Sequence, residues 1–328
     1  RGLFLYPLKA LAQDQLKSFQ RLAEATPPAP EAVIYDGDTP AGARRRIRQQ
    51  PPAVIFSNPE MLHLSLLSHH SAWADFWSGL SLVIIDEAHV YRGIVGSHMA
   101  AVIQRLLRTA AAYGRRPRFI FTSATIANPA DFCRQLSGRP VTAIADSGCA
   151  RDRRHLLMAT TDRGPISMAI ELLLAALHRR LRTIVFTPSR KMAEQIALGA
   201  RGRAASAADR ISPYRAGYTP AERRKIEARL ASGELLAVVS TSALELGIDI
   251  GQLDLCLLVG YPGTRIATQQ RAGRVGRRQR ESAVILIAGE DALDAYFMRH
   301  PEELWSGQTE RAVLNPLNPQ ILAQHLVC

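Results

Sequence analysis

The stretch Leu82-Val83-Ile84-Ile85-Asp86-Glu87-Ala88-His89 joins four aliphatic residues to two adjacent carboxylates. An unbroken aliphatic run of this length is typical of a strand that is buried on both faces of a parallel sheet. Carboxylates that directly follow such a strand lie at the carboxyl edge of the sheet, where open α/β sheets bind their ligands. The stretch therefore predicts an α/β fold and a ligand site at Asp86 and Glu87.

Similar short apolar runs alternate with longer amphipathic stretches along most of the sequence, without an internal repeat. This alternation is typical of βαβ units and predicts parallel sheets flanked by helices. The predicted strands are residues 3–6, 32–35, 53–57, 82–86, 118–122, 183–187, 237–240, 255–259 and 282–287.

Several predicted strands run into helix-start signals. Asn58-Pro59 and Asn128-Pro129 each place a capping side chain before a proline at the first helical position. Thr219-Pro220-Ala221-Glu222 is a capping box, and Gly233 is placed to end the same helix. These signals fix the chain direction, so that each strand delivers its carboxyl end to a loop and a helix N-terminus.

The length and composition predict two globular domains. At roughly 150 residues per domain, the 328 residues give two, and a hydrophobic share of 47% excludes a disordered chain. We predict a first domain over residues 1–150 and a second over 151–288, with the Arg-, Asp- and Gly-rich segment 147–165 as their connection. Residues 289–328, which include Trp305 and three prolines, are predicted to begin a further domain.

The sequence also argues against several classes of protein. Its four cysteines, Cys133, Cys149, Cys256 and Cys328, form no CxxC pair, which argues against a disulfide scaffold or a cysteine metal site. No apolar run reaches the roughly 18 residues that cross a bilayer, so we predict a cytoplasmic protein without a membrane partner. Because the sequence opens at Arg1 inside an apolar strand, we also predict that it is a fragment.

The charge balance indicates a polyanionic partner. Lysine and arginine number 41 against 29 acidic residues, a formal net charge of +12. Nearly all of the cations are arginines, whose guanidinium group binds phosphate in a bidentate fork. A codon bias toward arginine explains the scarcity of lysine but not the net excess. The charge therefore favours nucleic acid over a merely basic surface.

The two carboxylates suit nucleotide chemistry. Asp86 can bind Mg²⁺ directly or through water, and Glu87 can orient and activate a water against a γ-phosphate. His89 is placed two residues further on to sense the bound nucleotide. A solvated acidic turn is the alternative, but the buried strand in front of it favours a functional site.

Ser123-Ala124-Thr125 follows the predicted strand 118–122 in the same way. A small polar loop after a strand is a weak signal by itself. Together with the acidic loop, it predicts that Ser123 and Thr125 couple the nucleotide state to the other domain.

The stretch Gln269-Gln270-Arg271-Ala272-Gly273-Arg274-Val275-Gly276-Arg277-Arg278 interleaves glycines with arginines. Arg274 and Arg277 lie three residues apart on one face. Directed at a nucleotide on another domain, they would stabilise charge on its γ-phosphate as arginine fingers. A solvated basic helix is the alternative, but each interior glycine costs such a helix about 1 kcal/mol.

Upstream, residues 239–250 continue a strand into a polar turn and a predicted hydrophobic helix. Ser240 and Thr241 can donate to a phosphate, and Asp249 can accept from a ribose hydroxyl. Asp249 as an ordinary turn or helix residue stays open as an equal alternative.

Taken together, these residues resemble the superfamily 2 helicases of the DEAD/DEAH-box kind over nearly the whole chain. The order and spacing of seven stretches match the motifs of that family. Residues 6–15 resemble motif Ia, 57–62 motif Ib, 86–89 motif II, 123–125 motif III, 185–190 motif IV, 240–250 motif V and 270–277 motif VI.

The resemblance implies two RecA-like domains that face each other across a cleft, the first of them truncated at its N-terminus. ATP and Mg²⁺ are the implied cofactors, with Asp86 on the metal and Glu87 as the base or water-orienting residue. His89 and the motif VI residues Gln270, Arg274 and Arg277 are further implied catalytic residues. Gly247 and Asp249 are implied nucleotide contacts, together with Asp86, Arg274 and Arg277.

The resemblance also implies a track for single-stranded or forked nucleic acid across both domains. Phosphates would be held by residues at the starts of helices, where backbone N–H groups point outward. The implied contacts are Pro7, Lys9, Ser57 and Asn58 in the first domain and Ser189, Arg190, Ser240 and Thr241 in the second.

Finer features resemble the Hrq and mitomycin-repair-factor type of helicase. They are Tyr91, Gly93, Gly96 and Ser97-His98 after the acidic loop, with residues 214–218 and 243–249. That type implies 3′ to 5′ movement on single-stranded DNA, a role in DNA repair at the nucleoid, and a C-terminal domain with a four-cysteine zinc cluster. Residues 315–319 and 325–328 resemble the beginning of that domain.

One departure from the family concerns the phosphate-binding loop GxxxxGK[ST], since this sequence contains no Gly-Lys pair. We therefore expect the chain by itself to hydrolyse ATP poorly or not at all. An RNA or RNA–DNA hybrid helicase, an inactive nucleic-acid clamp and a motor that acts on protein are the alternatives. The retained Asp86-Glu87 and the pair Arg274 and Arg277 argue against the clamp, and the sequence leaves the oligomeric state open.

Overall fold

The computed structural model describes residues 1–146, 148, 153–215, 217–247, 250–276 and 281–328. They form two compact units, one of Arg1–Ala145 with Arg311–Cys328 and the other of Asp146–Glu310. Both are parallel α/β units, as predicted.

The first unit is built on a five-stranded parallel sheet in the order β2-β3-β1-β4-β5. Apolar side chains of the three central strands are buried or partly buried, which is why apolar runs predicted these strands. The strands are β1 (Gly2–Leu5), β2 (Ala32–Ile34), β3 (Val54–Ser57), β4 (Leu82–Ile85) and β5 (Arg118–Phe121). All five strands lie within one residue of each predicted bound.

Six helices of the first unit precede or follow these strands. They are α1 (Lys9–Ala23), α2 (Ala41–Gln49), α3 (Pro59–Met61), α4 (Ala74–Gly79), α5 (Gly93–Ala112) and α6 (Pro129–Ser137), and α3 continues into a π-helical turn, Leu62–Leu67. Asn58 caps α3 as predicted, since its side chain accepts from the Met61 N–H at 2.8 Å. Trp73, Phe76 and Trp77 are fully buried beside this segment.

The second unit has a six-stranded parallel sheet in the order β6-β11-β10-β7-β9-β8. The strands are β6 (Arg154–Ala159), β7 (Thr183–Phe186), β8 (Ile211–Tyr214), β9 (Ala237–Ser240), β10 (Leu255–Val259) and β11 (Ser282–Ile287). The four central strands were predicted, and both edge strands were missed.

The two missed strands have weak sequence signals for physical reasons. Strand β6 lies inside the segment 147–165 that was predicted as a connection, and its first four residues are exposed. Strand β8 contains Pro213, which breaks the strand pattern because proline is confined to sheet edges.

Helices α7 (Pro165–His178), α8 (Arg190–Arg203), α9 (Pro220–Ala231), α10 (Arg265–Ala272), α11 (Ala292–Arg299) and α12 (Pro301–Ser306) complete the second unit. The predicted capping box of α9 is present, with reciprocal bonds between Thr219 and Glu222. The helix predicted after β9 is instead one 3-10 turn, Ser242–Leu244, within the described residues.

The segment 289–328 is divided between the two units. Residues up to Glu310 cluster with the second unit, whereas Arg311–Cys328, with helix α13 (Pro319–Leu326), cluster with the first. That 289–328 begins a further domain stays a prediction, as do the proposed domain boundaries.

Candidate nucleotide and nucleic-acid site

The strand register brings the predicted site residues of the first unit to one edge of its sheet. Leu5 is paired with both Ser57 and Ile85, and Ile85 is paired with Phe121. The residues that follow these strand ends, Asn58, Asp86 and Thr122 among them, therefore emerge at the same level of the sheet.

Asp86 is held in one orientation by its neighbours. Its Oδ1 accepts from the Glu87 N–H at 3.0 Å and from the hydroxyl of Thr122. Among the described residues, no hydrogen bond or ion pair involves Oδ2, so this oxygen is available for a cation. The Asp86 carboxylate therefore fits Mg²⁺, which prefers oxygen ligands.

Glu87 adopts a left-handed backbone conformation, with φ at 52°. This conformation is uncommon for a residue with a β-carbon and stores strain at a position that the surrounding structure fixes. The next amide, Ala88 N–H, donates to the Thr122 carbonyl at 2.8 Å. The backbone bond holds the acidic turn against the end of β5.

His89 connects the acidic turn to the Ser123–Thr125 loop. It is 4% exposed, and its Nδ1 accepts from the Ala124 N–H at 3.2 Å. The Glu87 carboxylate lies 3.5 Å from the same ring nitrogen. Ser123 and Thr125 themselves are exposed. The loop predicted for coupling is thus in direct contact with the acidic turn through His89, whose predicted role as a nucleotide sensor stays a prediction.

Two buried tyrosines lie beside Asp86. Burial, followed by the Asp86 charge, raises the pKa of Tyr6 well above its ordinary value of 10. Burial and the charges of Asp86 and Glu87 do the same for the pKa of Tyr91. Both phenols therefore remain neutral at physiological pH and leave the negative charge on the carboxylates.

The predicted nucleic-acid contacts of the first unit occupy different environments. Asn58 caps α3, whereas Ser57 is 1% exposed and its hydroxyl donates to the Tyr35 carbonyl at 2.6 Å. Lys9 is exposed and pairs with Asp38 at 2.8 Å. Pro7, just before α1, is partly exposed. The Ser57 hydroxyl is therefore already bonded within the fold, and the Lys9 ammonium is paired with Asp38, so their predicted contacts with nucleic acid stay predictions.

The second unit presents its predicted contacts at the carboxyl ends of β7 and β9. Ser189 caps α8 by accepting from the Met192 N–H at 3.2 Å, and Arg190 is exposed. Ser240 is fully buried, and its hydroxyl has no hydrogen-bond partner among the described residues. Thr241 is partly exposed.

The motif VI stretch follows helix α10. Gln270 lies in this helix and is partly exposed, and Arg274 follows it and is 8% exposed. Gly247 is also partly exposed. The predicted residues Arg277 and Asp249 lie outside the described residues.

Sequence reasoning missed a buried ion pair in this region. Arg271 Nε donates to Glu245 Oε2 at 2.8 Å, and the two side chains are 11% and 16% exposed. Arg271 lies in the stretch 269–278 and Glu245 in the stretch 239–250. An ion pair between residues 26 positions apart leaves no local signal in the sequence.

Residues 311–328 bind the first unit through the residues that follow the acidic turn. The Gly93 N–H donates to the Val313 carbonyl at 2.7 Å. Ser97 Oγ accepts from the Asn315 N–H at 3.1 Å. A β-carbon on Gly96 would overlap the carbonyl oxygen of Tyr91. Gly93, Gly96 and Ser97 therefore form the surface on which the C-terminal segment 311–328 packs.

The prediction that Asn128 caps α6 is wrong. Its side chain makes no bond to that helix. Instead, Nδ2 donates to the Ala312 carbonyl and Oδ1 accepts from the Ala312 N–H, both at 2.9 Å. These two hydrogen bonds to the backbone of Ala312 use both the donor and the acceptor of the Asn128 side-chain amide. A tertiary partner therefore replaces the local capping bond.

Three histidines and one arginine lie where α13 packs on α5. His98 Nδ1 is 3.1 Å from His325 Nε2, and Arg105 lies 2.6 Å from His63 Nδ1. Burial and the neighbouring charges lower the pKa of His63 and of His325 below the ordinary 6.5. The charges that face His325 are those of His63, His98 and Arg105.

These pKa shifts predict an acid-sensitive first unit. Between the lowered pKa and 6.5, the unfolded chain binds more protons than the folded one, so the free energy of unfolding falls as pH drops below 6.5. We expect His325→Asn to flatten this dependence in urea unfolding at pH 7.5, 6.5 and 5.5. The exposed His69 gives the control, His69→Asn, which should keep the wild-type slope. An unchanged slope in His325→Asn would contradict the prediction.

Residues 1–132 match the family described as DEAD/DEAH box helicase, and residues 165–279 match the Helicase conserved C-terminal domain. The chain belongs to the superfamily 2 helicases. The two matches together span most of the sequence and confirm the predicted family.

Individual relatives refine the placement of this helicase core. It is 41% identical to the uncharacterized ATP-dependent helicase YprA of Bacillus subtilis over 100% of this chain and 45% of YprA. It is 35% identical to the ATP-dependent helicase HRQ1 of Saccharomyces cerevisiae over 99% of this chain and 32% of HRQ1.

A solved structure of the DUF1998 helicase MrfA bound to DNA and AMPPNP is 40% identical to this core. The TM-score is 0.95, over 99% of this chain and 47% of MrfA. The predicted resemblance to the Hrq and mitomycin-repair-factor type and the predicted RecA-like fold are confirmed. The core thus spans less than half the length of these relatives. No helix in the described part of the chain is both long and apolar enough to cross a bilayer.

Proposed function

We propose that the full-length protein is an ATP-dependent DNA helicase that moves 3′ to 5′ on single-stranded DNA and acts in DNA repair. The observation that carries the proposal is the fixed acidic turn, in which Asp86 is oriented by Thr122 and His89 contacts the Ala124 amide. An acidic turn held in this way is suited to nucleotide chemistry. Through His89, it transmits the nucleotide-bound state to the loop at Ala124. The DNA and AMPPNP in the MrfA structure support both ligands.

The residues of the chain divide the hydrolytic work. Asp86 would hold Mg²⁺ through Oδ2, the oxygen that Thr122 and the Glu87 amide leave available. Glu87 orients the attacking water and accepts its proton. Arg274 and Arg277 stabilise the charge that develops on the γ-phosphate in the transition state. Gln270 orients these two guanidinium groups. ATP with Mg²⁺ supplies the γ-phosphate that is transferred to water.

Nucleic acid is held in each unit by loops at the carboxyl ends of the strands. Backbone amides at the starts of α1 and α8 bind phosphates, with Lys9 and Arg190 as the adjacent cations. Thr241 adds a hydroxyl after β9. Single-stranded or forked DNA is the proposed partner, and a cytoplasmic location at the nucleoid is proposed with it.

The test is ATP hydrolysis by the full-length protein with oligo-dT, with oligo-U and without nucleic acid. We expect oligo-dT to stimulate hydrolysis, and the chain of 328 residues alone to hydrolyse ATP poorly because it has no Gly-Lys pair. A helicase assay with 3′- and 5′-tailed duplexes then reports the direction of movement.

Each alternative predicts a different result. Stimulation by oligo-U but not oligo-dT would replace DNA by RNA as the substrate. Salt-dependent DNA binding without any hydrolysis by the full-length protein would contradict the motor and leave a nucleic-acid-binding module.

A further inference from the structure

Lys9, the proposed phosphate contact at the start of α1, forms an ion pair with Asp38. The Lys9 Nζ and the Asp38 Oδ1 are 2.8 Å apart, and the two side chains are 43% and 58% exposed. The pair joins α1 to the loop 36–39, which follows β2 at the edge of the sheet. An exposed pair of two mobile side chains is usually worth little, because both must be held in one geometry.

The loop that carries Asp38 is fixed by hydrogen bonds on both sides of this residue. Asp36 is 3% exposed, and its Oδ1 accepts from the Asp38 N–H at 2.8 Å. The Asp36 N–H in turn donates to the Thr39 hydroxyl at 2.9 Å. Arg44 in α2 donates to the carbonyls of Asp36 and Gly37, both at 3.0 Å. The Asp38 carboxylate is therefore presented by a backbone that has little freedom to lose.

The Lys9 side chain lies against the same loop. A β-carbon added to Gly37 would be 3.1 Å from the Lys9 Nζ, so a side chain at this position would crowd the ammonium group. Glycine leaves the ammonium room to reach Asp38. Because the loop is fixed before the pair forms, this pair loses less conformational entropy than an ordinary surface pair.

The Asp38 carboxylate lies where a phosphate would also be favoured. Helix α1 begins at Lys9 without a side-chain cap and without an acidic residue in its first turn. The positive end of a helix dipole and an ammonium group both attract an anion. Among the described residues, the anion paired with Lys9 is the Asp38 carboxylate. A nucleic-acid phosphate that binds Lys9 must therefore displace Asp38.

We propose that Asp38 competes with the nucleic-acid phosphate for Lys9 and so speeds release of the strand. When a phosphate leaves, Asp38 pairs with the ammonium again, and this pairing offsets part of the free energy lost with the phosphate. A motor that moves along a strand must release each phosphate in turn, so weaker binding at this position favours movement. This inference rests on the proposed function and adds to it the residue that limits the affinity for the strand.

The test measures binding and release of labelled oligo-dT by variants of the full-length protein. Asp38→Asn removes the charge and keeps the size of the side chain, and the backbone bond from residue 38 to Asp36 remains. Lys9→Gln removes the other charge of the pair. Asp131→Asn is the matched control, because it breaks an exposed pair with Arg134 at 2.6 Å in the same unit.

We expect Asp38→Asn to bind oligo-dT about threefold more tightly than wild type, or about 0.7 kcal/mol in binding free energy. The rate constant of dissociation into excess unlabelled oligo-dT should fall by a similar factor, because variants of one complex differ mainly in their release rates. Lys9→Gln should weaken binding, and Asp131→Asn should match wild type in both measurements.

A double-mutant cycle separates competition at Lys9 from the general effect of removing a negative charge. When Asp38→Asn is added to Lys9→Gln, affinity should change by less than about 1.5-fold, because the group competed for is gone. Equal tightening with and without Lys9 would show that Asp38 acts as a distant charge, and would overturn the inference. Weaker binding by Asp38→Asn alone would overturn it as well, since Asp38 would then hold Lys9 in place for the phosphate.

The same measurements distinguish failure of this inference from failure of the proposed function. If Lys9→Gln weakens binding but Asp38→Asn changes neither affinity nor release, the competition is refuted and the helicase remains. If Lys9→Gln binds oligo-dT as tightly as wild type, the inference falls together with the proposed Lys9 contact. If the wild type does not bind oligo-dT, the proposed function fails first.

Discussion

Glu87→Gln lowers the turnover number for ATP hydrolysis by the full-length protein about 10³-fold, which is about 4 kcal/mol in activation free energy. The amide keeps the size of the side chain but cannot accept the proton of the attacking water. The left-handed backbone at this residue is unaffected, because glutamine and glutamate share its steric demands. Nucleotide binding should persist, since Asp86 and not Glu87 is proposed to hold the metal.

Steady-state hydrolysis and AMPPNP binding measure the two halves of this expectation. Glu24→Gln is the matched control, because Glu24 is exposed at the end of α1 and its carboxylate has no partner among the described residues. Wild-type turnover in Glu87→Gln would remove Glu87 from the base role. Loss of AMPPNP binding would instead show that Glu87 helps to hold the nucleotide.

Gly96→Ala destabilises the first unit by about 3 kcal/mol, with a fall in melting temperature of roughly 6–12 °C. The added β-carbon would overlap the backbone carbonyl of Tyr91 and lie 3.1 Å from the β-carbon of Leu314. The Tyr91 carbonyl cannot rotate away as a long side chain would, so the helix α5 or the C-terminal segment must shift. Thermal unfolding measured by circular dichroism, with limited proteolysis of residues 311–328, follows both effects.

Gly42→Ala is the control for this change. Gly42 lies in the exposed helix α2, has an ordinary backbone conformation, and no heavy atom would lie within 4 Å of the new β-carbon. Alanine there should leave the melting temperature unchanged or raise it slightly, since alanine favours helix over glycine by up to about 1 kcal/mol. Equal melting temperatures for Gly96→Ala and Gly42→Ala would contradict close packing of the C-terminal segment against Gly96.

Local sequence is sufficient to predict a feature whose partners all lie within a few residues. The acidic turn was located correctly because an aliphatic run identifies its own strand and the carboxylates follow directly. The capping box at Thr219 was found for the same reason, since all its partners lie within four residues. Edge strands β6 and β8 were missed because partial exposure and Pro213 weaken the apolar signal that a strand leaves in the sequence.

Asn128 shows how tertiary contacts override a local rule. Asparagine before proline is a strong capping signal, yet its amide binds Ala312, 184 positions further along the chain. Similarly, His89 accepts from an amide 35 positions away, and Arg271 pairs with a carboxylate 26 positions earlier. No sequence signal near these residues indicates their partners.

The sequence by itself determined the fold class, most strands, the acidic turn at Asp86 and Glu87, and the resemblance to a helicase family. Those features depend on periodicity and on contacts within a few residues, which the order of amino acids states directly. The tertiary structure decided which loops meet: His89 with Ala124, Arg271 with Glu245, and the C-terminal segment with Gly96 and Asn128. Such pairings depend on the order of strands in each sheet, because parallel strands bring residues together that are far apart along the chain.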